Sequence, residues 1–191
     1  MDRETVTLFF GILAVVAQVA VAAIVLVAVA AAVSPSARRF ASRARSELAP
    51  QALALAAVVA AVCTGGSLYL SEVANFRPCQ LCWYQRYAMY PLVAILAVGA
   101  LARGAVARWT RIVGLVMAVV GGSISVWHIL IERGVIEESA ACDLDNPCSV
   151  KWIEELGYLT IPTMALSGFA LIAVLLVVAT VRSDRSPEET P

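Results

Sequence analysis

The sequence predicts an all-α membrane protein, a polytopic helical bundle with five apolar spans. Of its 191 residues, 61% are hydrophobic, and the mean hydropathy is +0.83, outside the usual range of water-soluble domains. The 14 basic and 14 acidic residues lie almost entirely between long apolar runs. Charged loops that alternate with apolar runs are typical of polytopic membrane proteins. No basic face indicates nucleic-acid binding, and no strand alternation indicates a β-barrel.

Five apolar stretches are long enough to cross a hydrocarbon core roughly 30 Å thick as α-helices. Helices are expected because each segment must satisfy its own backbone hydrogen bonds in lipid. Proline-containing turns separate several of these runs, as at Ser34-Pro35, Arg77-Pro78 and Asn146-Pro147. The predicted spans are Leu8–Val33, Gln51–Leu70, Trp83–Ala102, Ile112–Ile131 and Thr160–Val181.

The distribution of basic residues predicts the orientation. Nine of them lie on the side of the Arg-rich loop that follows the first span, whereas five lie on the opposite side together with ten acidic residues. The positive-inside rule therefore places the N-terminus and the loops Ser71–Cys82 and Glu132–Leu159 outside, and the C-terminus in the cytoplasm. Cleavage of the first span as a signal peptide would invert this arrangement. That span is too long for a typical signal-peptide core, so we expect a retained helix.

Four of the five cysteines lie on the predicted outer side, in two pairs. Cys79 and Cys82 form a Cys-x-x-Cys motif at the outer mouth of the third span, and Cys142 and Cys148 lie in the large outer loop. In that compartment disulfides form and persist. Cys63 lies inside the second apolar run and is interpreted as a buried, inert thiol. The two pairs are therefore the candidates for thiol–disulfide chemistry.

The spacing alone leaves redox, zinc and structural interpretations open. Two thiolates in Cys-x-x-Cys suit a redox disulfide and half of a zinc site equally well. Zinc is disfavoured because the second pair has an open spacing, no loop contains a histidine, and the compartment is oxidising. We therefore expect no metal. A framework of static disulfides is the stronger alternative, although it leaves unexplained why one pair lies at the membrane surface.

Two polar residues at similar depth predict a pocket beside the Cys-x-x-Cys motif. If the third helix begins near Cys82, Arg86 lies one turn deeper on the same face and favours the thiolate form of that cysteine. A snorkelling arginine is the alternative interpretation. His128, the only histidine, falls about one turn below the outer end of the fourth span, where a packing role is the alternative. A thiol and two polar groups at this depth suit a lipid-soluble acceptor with carbonyl oxygens, such as a quinone.

Several segments around the cysteines together form a specific signature. They are Gly66–Glu72, Phe76–Pro91 with its Cys-Gln-Leu-Cys-Trp-Tyr-Gln-Arg run, Gly122–His128 and Gly157–Pro162. This set resembles the disulfide bond formation protein B family, most closely its BdbC-like branch. The resemblance implies a four-helix oxidoreductase domain at residues 51–181 in a bacterial inner membrane. Residues 1–50, an extra transmembrane helix with an Arg-rich cytoplasmic loop, depart from the family pattern, and residues 182–191 are expected to be a cytoplasmic tail.

The family implies a thiol oxidase that uses quinone, either menaquinone or ubiquinone, from the membrane pool. It re-oxidises an extracytoplasmic thioredoxin-fold protein that resembles DsbA. By resemblance, the partner attacks Cys142, Cys148 passes electrons to Cys79 through a transient interloop disulfide, and Cys82 adjoins the quinone. Because Cys142 and Cys148 close a compact loop, we expect Cys148 to reach Cys79 only through movement of the whole outer loop.

The resemblance also assigns roles to the two polar residues of the predicted pocket. Arg86 matches the arginine placed near the quinone in this family, and His128 aligns with a histidine of the same region. Beyond the second cysteine pair, Val150–Tyr158 has apolar residues at helical spacing and two interface aromatics. That stretch predicts either a helix lying flat on the outer leaflet or an extension of the last span.

Three other functions stay open at this point. A vitamin-K-epoxide-reductase-like enzyme also pairs loop cysteines with a quinone-type substrate, but a Cys-x-x-Cys at a helix start followed by Tyr-Gln-Arg favours the first family. A structural membrane protein with two static disulfides would transfer no electrons. A reductase that sends electrons outward requires a cytoplasmic thiol donor, which Cys63 alone does not provide.

Overall fold

A computed structural model describes residues 3–138, 142 and 146–180, and these residues are mostly helical. The all-α prediction is therefore confirmed. The predicted tail at 182–191 and the end of the fifth predicted span, Val181, lie outside the described residues. The described residues form six α-helices: α1 (Arg3–Val33), α2 (Pro35–Leu48), α3 (Ala52–Leu68), α4 (Gln80–Leu101), α5 (Ala105–Glu132) and α6 (Ile161–Thr180).

Four of the helices are long and apolar enough to cross a membrane. They are α1, α3 with the π-helical turn Tyr69–Val73 that extends it, α5 and α6. This confirms the polytopic membrane fold. Helix α4 has 22 residues but carries Gln80, Gln85 and Arg86 in its first half, which lowers its mean hydropathy. It packs between α3 and α5, and its more polar first half leaves the third predicted span outside these four helices.

The Arg-rich segment after the first span is a helix, which corrects the prediction of a loop. Helix α2 begins at Pro35, where a proline fits the first turn because its missing N–H has no helical partner there. None of its residues is buried. Hydropathy predicts only buried or membrane helices, so an exposed and charged helix gives no apolar signal.

Helix α5 also begins earlier than predicted, at Ala105 instead of Ile112. Gly104 precedes it with a φ of 63°, a left-handed conformation that glycine adopts without strain. Arg111 therefore lies on the helix, where its Nη1 donates a hydrogen bond to the carbonyl of Ala179 at 3.1 Å. The predicted apolar run, Ile112–Ile131, is therefore only part of a longer helix.

The hydrophobic core lies between α3, α4, α5 and α6. Its fully buried members include Leu92 and Leu96 of α4 and Phe169, Ile172 and Leu176 of α6. In lipid, close packing rather than the exclusion of water holds such helices together. Helices α5 and α6 pack against each other along much of their length. This packing depends on small residues that let the two backbones approach closely.

Gly121 is one of these small residues, and replacing it with alanine should destabilise the bundle. A Cβ at Gly121 would overlap the buried ring of Phe169, whereas a Cβ at the neighbouring Gly122 would lie 3.7 Å from Phe169 Cβ. Gly121→Ala is therefore expected to cost about 1–3 kcal/mol of stability through overpacking. Thermal unfolding in detergent should show a lower Tm for Gly121→Ala than for the control, Gly122→Ala. Equal Tm values would contradict this packing.

The two cysteine-containing loops meet at the end of the bundle where α4 begins. Asn146 Nδ2 donates a hydrogen bond to the carbonyl of Pro78 at 3.0 Å, which joins the large loop to the segment before α4. The stretch 150–158 is not a helix, contrary to both predicted forms. Leu156 and Gly157 have φ angles of 52° and 74°, and this left-handed turn interrupts any helix there.

Candidate active site

Cys79 and Cys82 lie at the N-terminus of α4. Cys79 is the residue before the helix, and its Sγ accepts a hydrogen bond from the Cys82 backbone N–H at 3.4 Å. The two Sγ atoms are 2.9 Å apart as free thiols. The hydrogen bond from the Cys82 thiol lowers the pKa of Cys79, burial opposes this effect, and His128 lowers the pKa further. A helix N-terminus likewise favours a thiolate, so Cys79 is set up as the nucleophile of the pair.

His128 lies between the two cysteine pairs. It is 2% exposed, and its Nε2 is 3.6 Å from Cys79 Sγ and 3.1 Å from the carbonyl oxygen of Cys148. An Nε2–H donor satisfies that carbonyl and faces the sulfur. The sequence predicted a pocket shared by His128 and Arg86. In the structure Arg86 lines a cavity and His128 does not. Its depth was predictable, but the side of α4 that it faces was not.

Cys142 and Cys148 form a disulfide with a Cα–Cα distance of 5.8 Å. Cys148 is 1% exposed and belongs to the same buried cluster as Cys79, Leu81 and Ile131. Cys142 packs at the edge of that cluster and is only partly buried. Cys148 and Cys79 therefore already share one buried cluster in this structure, and the expected movement of the whole loop during exchange stays a prediction.

A cavity of about 330 Å³ adjoins Cys82 on the other side of the pair. This volume is at the lower end of the range for small-molecule pockets, roughly 300–1,000 Å³. The walls are formed by α1, α3, α4 and α6, and most of the lining is apolar. The lining also includes polar side chains and aromatic rings, among them Ser67, Phe76, Arg77, Gln85, Arg86 and Trp152.

Arg86 is buried at the wall of this cavity. Its Nε and Nη2 donate hydrogen bonds to Ser67 Oγ at 3.0 Å and to the Ser67 carbonyl at 2.9 Å. Its guanidinium carbon lies 5.2 Å from the centre of the Trp83 ring, a cation–π contact. The salt bridge found among the described residues joins Lys151 to Glu154. Arg86 therefore brings a positive charge to the cavity without a carboxylate that neutralises it.

Gln85 is a polar lining residue that the sequence reasoning missed. It is 5% exposed, and its Nε2 finds no hydrogen-bond partner among the described residues. A buried amide without a partner costs free energy, so it indicates a ligand acceptor. The available signal was its place in the signature, directly before Arg86. The donors of Gln85 and Arg86, the Cys82 thiol and the apolar walls fit the carbonyls, ring and tail of a quinone.

The same cysteines form a potential soft-metal ligand set with His128. One ligand atom from each of Cys79, Cys82 and His128 lies within 4.8 Å of the others. These residue types bind zinc, although a structural zinc site normally has four ligands. No loop contains a histidine, as the sequence indicates, but His128 reaches Cys79 and Cys82 from helix α5. The group holds three ligand residues among the described part of the chain, one fewer than a structural zinc site normally has.

Comparison with known proteins bears directly on this pair of dithiols. The family model described as "Disulfide bond formation protein DsbB" matches residues 49–179, which contain all four outer cysteines and every polar residue of the cavity. The chain belongs to the DsbB family. All of α1 and all of α2 lie outside the match. No solved structure is significantly similar to the chain.

Curated relatives support the same membership. The chain is 42% identical over 123 residues to "Disulfide bond formation protein C" of Bacillus subtilis, with 62% of this chain and 85% of the relative covered. It is 40% identical over 120 residues to a "Probable disulfide formation protein" of Oceanobacillus iheyensis, with 62% and 81% covered. The DsbB-family chain described here is thus BdbC-like, and it is a membrane disulfide oxidoreductase.

Proposed function

We propose that the chain is a quinone-dependent thiol oxidase that regenerates the disulfide of an extracytoplasmic, DsbA-like thioredoxin-fold protein. One observation supports this most strongly: a buried dithiol has the disulfide of the outer loop on one side and a quinone-sized cavity on the other. Cys82 lines the cavity, whereas Cys79 and Cys148 share a buried cluster. Electrons therefore have a continuous route from the loop to the membrane interior.

The partner enters at Cys142. A thiolate of the partner attacks Cys142 Sγ, the Cys142–Cys148 bond breaks, and Cys148 leaves with the electron pair. The second partner thiol then displaces Cys142, which gives an oxidised partner and two thiols on the loop. Cys142 is the more exposed of the two, and this is why we assign the attack to it.

The loop then reduces the inner pair. The Cys148 thiolate attacks Cys79 of the closed Cys79–Cys82 disulfide, and Cys82 leaves as a thiolate at the cavity wall. Cys142 next displaces Cys79 and restores the loop disulfide. His128, in contact with Cys79 and with the Cys148 carbonyl, is placed to stabilise the charge that moves between these sulfurs. The resulting state has one disulfide and two neighbouring thiols, as the structure has.

The quinone, when bound, accepts two electrons and two protons from the inner pair. Arg86 and Gln85 would hold its carbonyl oxygens, and the Arg86 charge would favour the thiolate of Cys82. The apolar walls would exclude water and small thiols from that sulfur. We assign His128 to Cys79 instead of to the ring, since it lies outside the cavity. A DsbA-like partner has a reduction potential of about −120 mV, so only a stronger electron acceptor such as a quinone re-oxidises it.

We further propose that the cysteine loops face the extracytoplasmic side of a bacterial cell membrane. The basic residues of α2 and Arg111 lie at the end of the bundle opposite to the cysteines. Such a bias is found on the cytoplasmic side. This orientation gives the Cys142–Cys148 disulfide access to secreted partners and keeps it away from cytosolic reductants.

A coupled assay tests the proposed function. The full chain in detergent is mixed with excess reduced DsbA and a short-tailed ubiquinone or menaquinone analogue, and quinone absorbance and free thiols are followed together. We expect catalytic quinone reduction, with one quinone consumed for each partner disulfide formed. If no combination of quinone, partner and lipid supports turnover by the folded protein, the two cysteine pairs are static disulfides and the proposal is wrong.

Replacing Gln85 should weaken quinone binding without damaging the thiols. Gln85→Leu removes the buried donor while keeping the side chain's approximate volume. Loss of one hydrogen bond of about 1–1.5 kcal/mol corresponds to roughly a tenfold higher KM for quinone. Steady-state kinetics should show this increase with the KM for the partner unchanged. The matched control, exposed Gln80→Leu, should resemble wild type, and an unchanged KM in Gln85→Leu would contradict a donor role.

A further inference from the structure

We propose that α1, which lies outside the family match, forms the wall of the quinone cavity that contacts the isoprenoid tail. This inference rests on the proposed function, because it concerns the same cavity. It assigns a specificity role to a helix for which the sequence indicated no function. Five residues of α1 line the cavity, opposite α3: Phe10, Leu13, Ala14, Val16 and Ala17.

Polar contacts fix α1 against the last helix and the outer loop. Thr7 Oγ1 donates to Glu155 Oε1 at 2.8 Å, and Gln18 Nε2 donates to Ser167 Oγ at 2.9 Å. The carbonyl oxygen of the Gln18 amide accepts from Tyr158 OH at 2.9 Å. Hydrogen bonds at both ends of one face set the rotation of α1 about its axis, so a defined set of side chains faces the cavity.

The residues on that face are small where the cavity lies. Ala14 and Ala17 are buried, whereas Val19 and Leu26 on other faces are 63% and 68% exposed. Phe10 closes the outer end, since an added Cβ at Gly66 of α3 would lie 2.8 Å from its ring. Thus α1 contacts α3 near Phe10 and leaves open space beside Ala14 and Ala17.

The depth of these positions relates them to the tail of a quinone. Cys82 and Arg86 mark the head-group end near the start of α4, and Ala17 lies seven residues, or about 10 Å of helix rise, further along α1 than Phe10. Ala17 therefore borders the inner part of the cavity, among the apolar side chains of Val58, Val59 and Val62. A ring held by Arg86 directs its tail along this apolar wall.

The test compares two quinones in the full chain. Binding of a decyl-tailed benzoquinone and of its tail-less analogue is measured by quenching of tryptophan fluorescence, because Trp152 lines the cavity. Ala17→Phe fills the inner part and should raise the Kd of the tailed quinone by about tenfold or more. The Kd of the tail-less quinone should stay unchanged. Steady-state assays should show the same split, with KM raised only for the tailed quinone.

The matched control is Ala23→Phe, since Ala23 is exposed on α1 and does not line the cavity. Ala17→Leu, a smaller addition, should raise the tailed-quinone Kd in the same direction and serves if Ala17→Phe does not fold. If Ala17→Leu and Ala17→Phe bind the tailed quinone as wild type does, α1 is not the tail wall. If wild type binds neither quinone, the proposed function itself fails, which is a distinct outcome.

Discussion

Replacing Cys82 with alanine is expected to abolish turnover, with a loss of roughly 10⁴-fold or more, as when other essential catalytic residues are removed. Without Cys82 the inner disulfide cannot close, and the inner pair has no sulfur at the cavity wall. Cys63→Ala is the matched control, because Cys63 is also a free thiol that lines the same cavity. Quinone absorbance under the coupled assay should show normal rates for Cys63→Ala and none for Cys82→Ala. Retained activity in Cys82→Ala would contradict the proposed route.

The outer pair should fail at a different step. In Cys142→Ser the partner cannot enter, so coupled turnover is lost as in Cys82→Ala. Cys82 still faces the cavity with Cys79 beside it, and chemically reduced Cys142→Ser should reduce one equivalent of quinone in a single turnover, whereas Cys82→Ala should reduce none. If both variants fail in the single turnover, the two pairs do not act in sequence.

Replacing Arg86 with methionine should weaken quinone binding by about 100-fold. A hydrogen bond from a charged group contributes about 1.5–3 kcal/mol, and Arg86 is the buried cation of the lining, whereas Arg77, which also lines the cavity, is exposed. Arg86→Lys keeps the charge but loses the planar donor geometry, so it should restore binding only in part. Exposed Arg133→Met, outside this cavity, is the control.

Tryptophan quenching provides the Kd for each of these variants, and thermal unfolding separates binding from folding. The effects on binding and on folding must be separated because Arg86 also hydrogen-bonds to Ser67 at the end of α3, so its replacement can lower stability as well as affinity. A folded Arg86→Met protein with wild-type affinity would show that the guanidinium only connects helices.

The parts of the fold that lipid dictates were predictable. A membrane-spanning helix such as α6 must be apolar over its whole length, so hydropathy along the sequence predicts where it begins and ends. Helix α2 was missed because it is exposed and charged. The predicted helix over 150–158 failed because periodicity does not reveal the left-handed turn at Leu156 and Gly157.

The candidate site shows a similar division. The four outer cysteines and Arg86 stand out by residue type and spacing, and the structure brings them around one cavity and one buried cluster. The rotation of a helix about its axis is set by packing, which sequence position does not determine. For this reason the contact of His128 with Cys79 and the unpartnered amide of Gln85 became visible only in the folded chain.

The central claim is that the inner dithiol passes its electrons directly to quinone. The decisive measurement starts from chain with the Cys142–Cys148 disulfide intact and Cys79 and Cys82 reduced, without partner and without oxygen. One equivalent of quinone is added, its absorbance is followed, and the disulfides are then mapped by mass spectrometry. The account predicts one quinone reduced per chain together with a new Cys79–Cys82 disulfide. Quinone that stays oxidised, or thiols that remain free at Cys79 and Cys82, would contradict it.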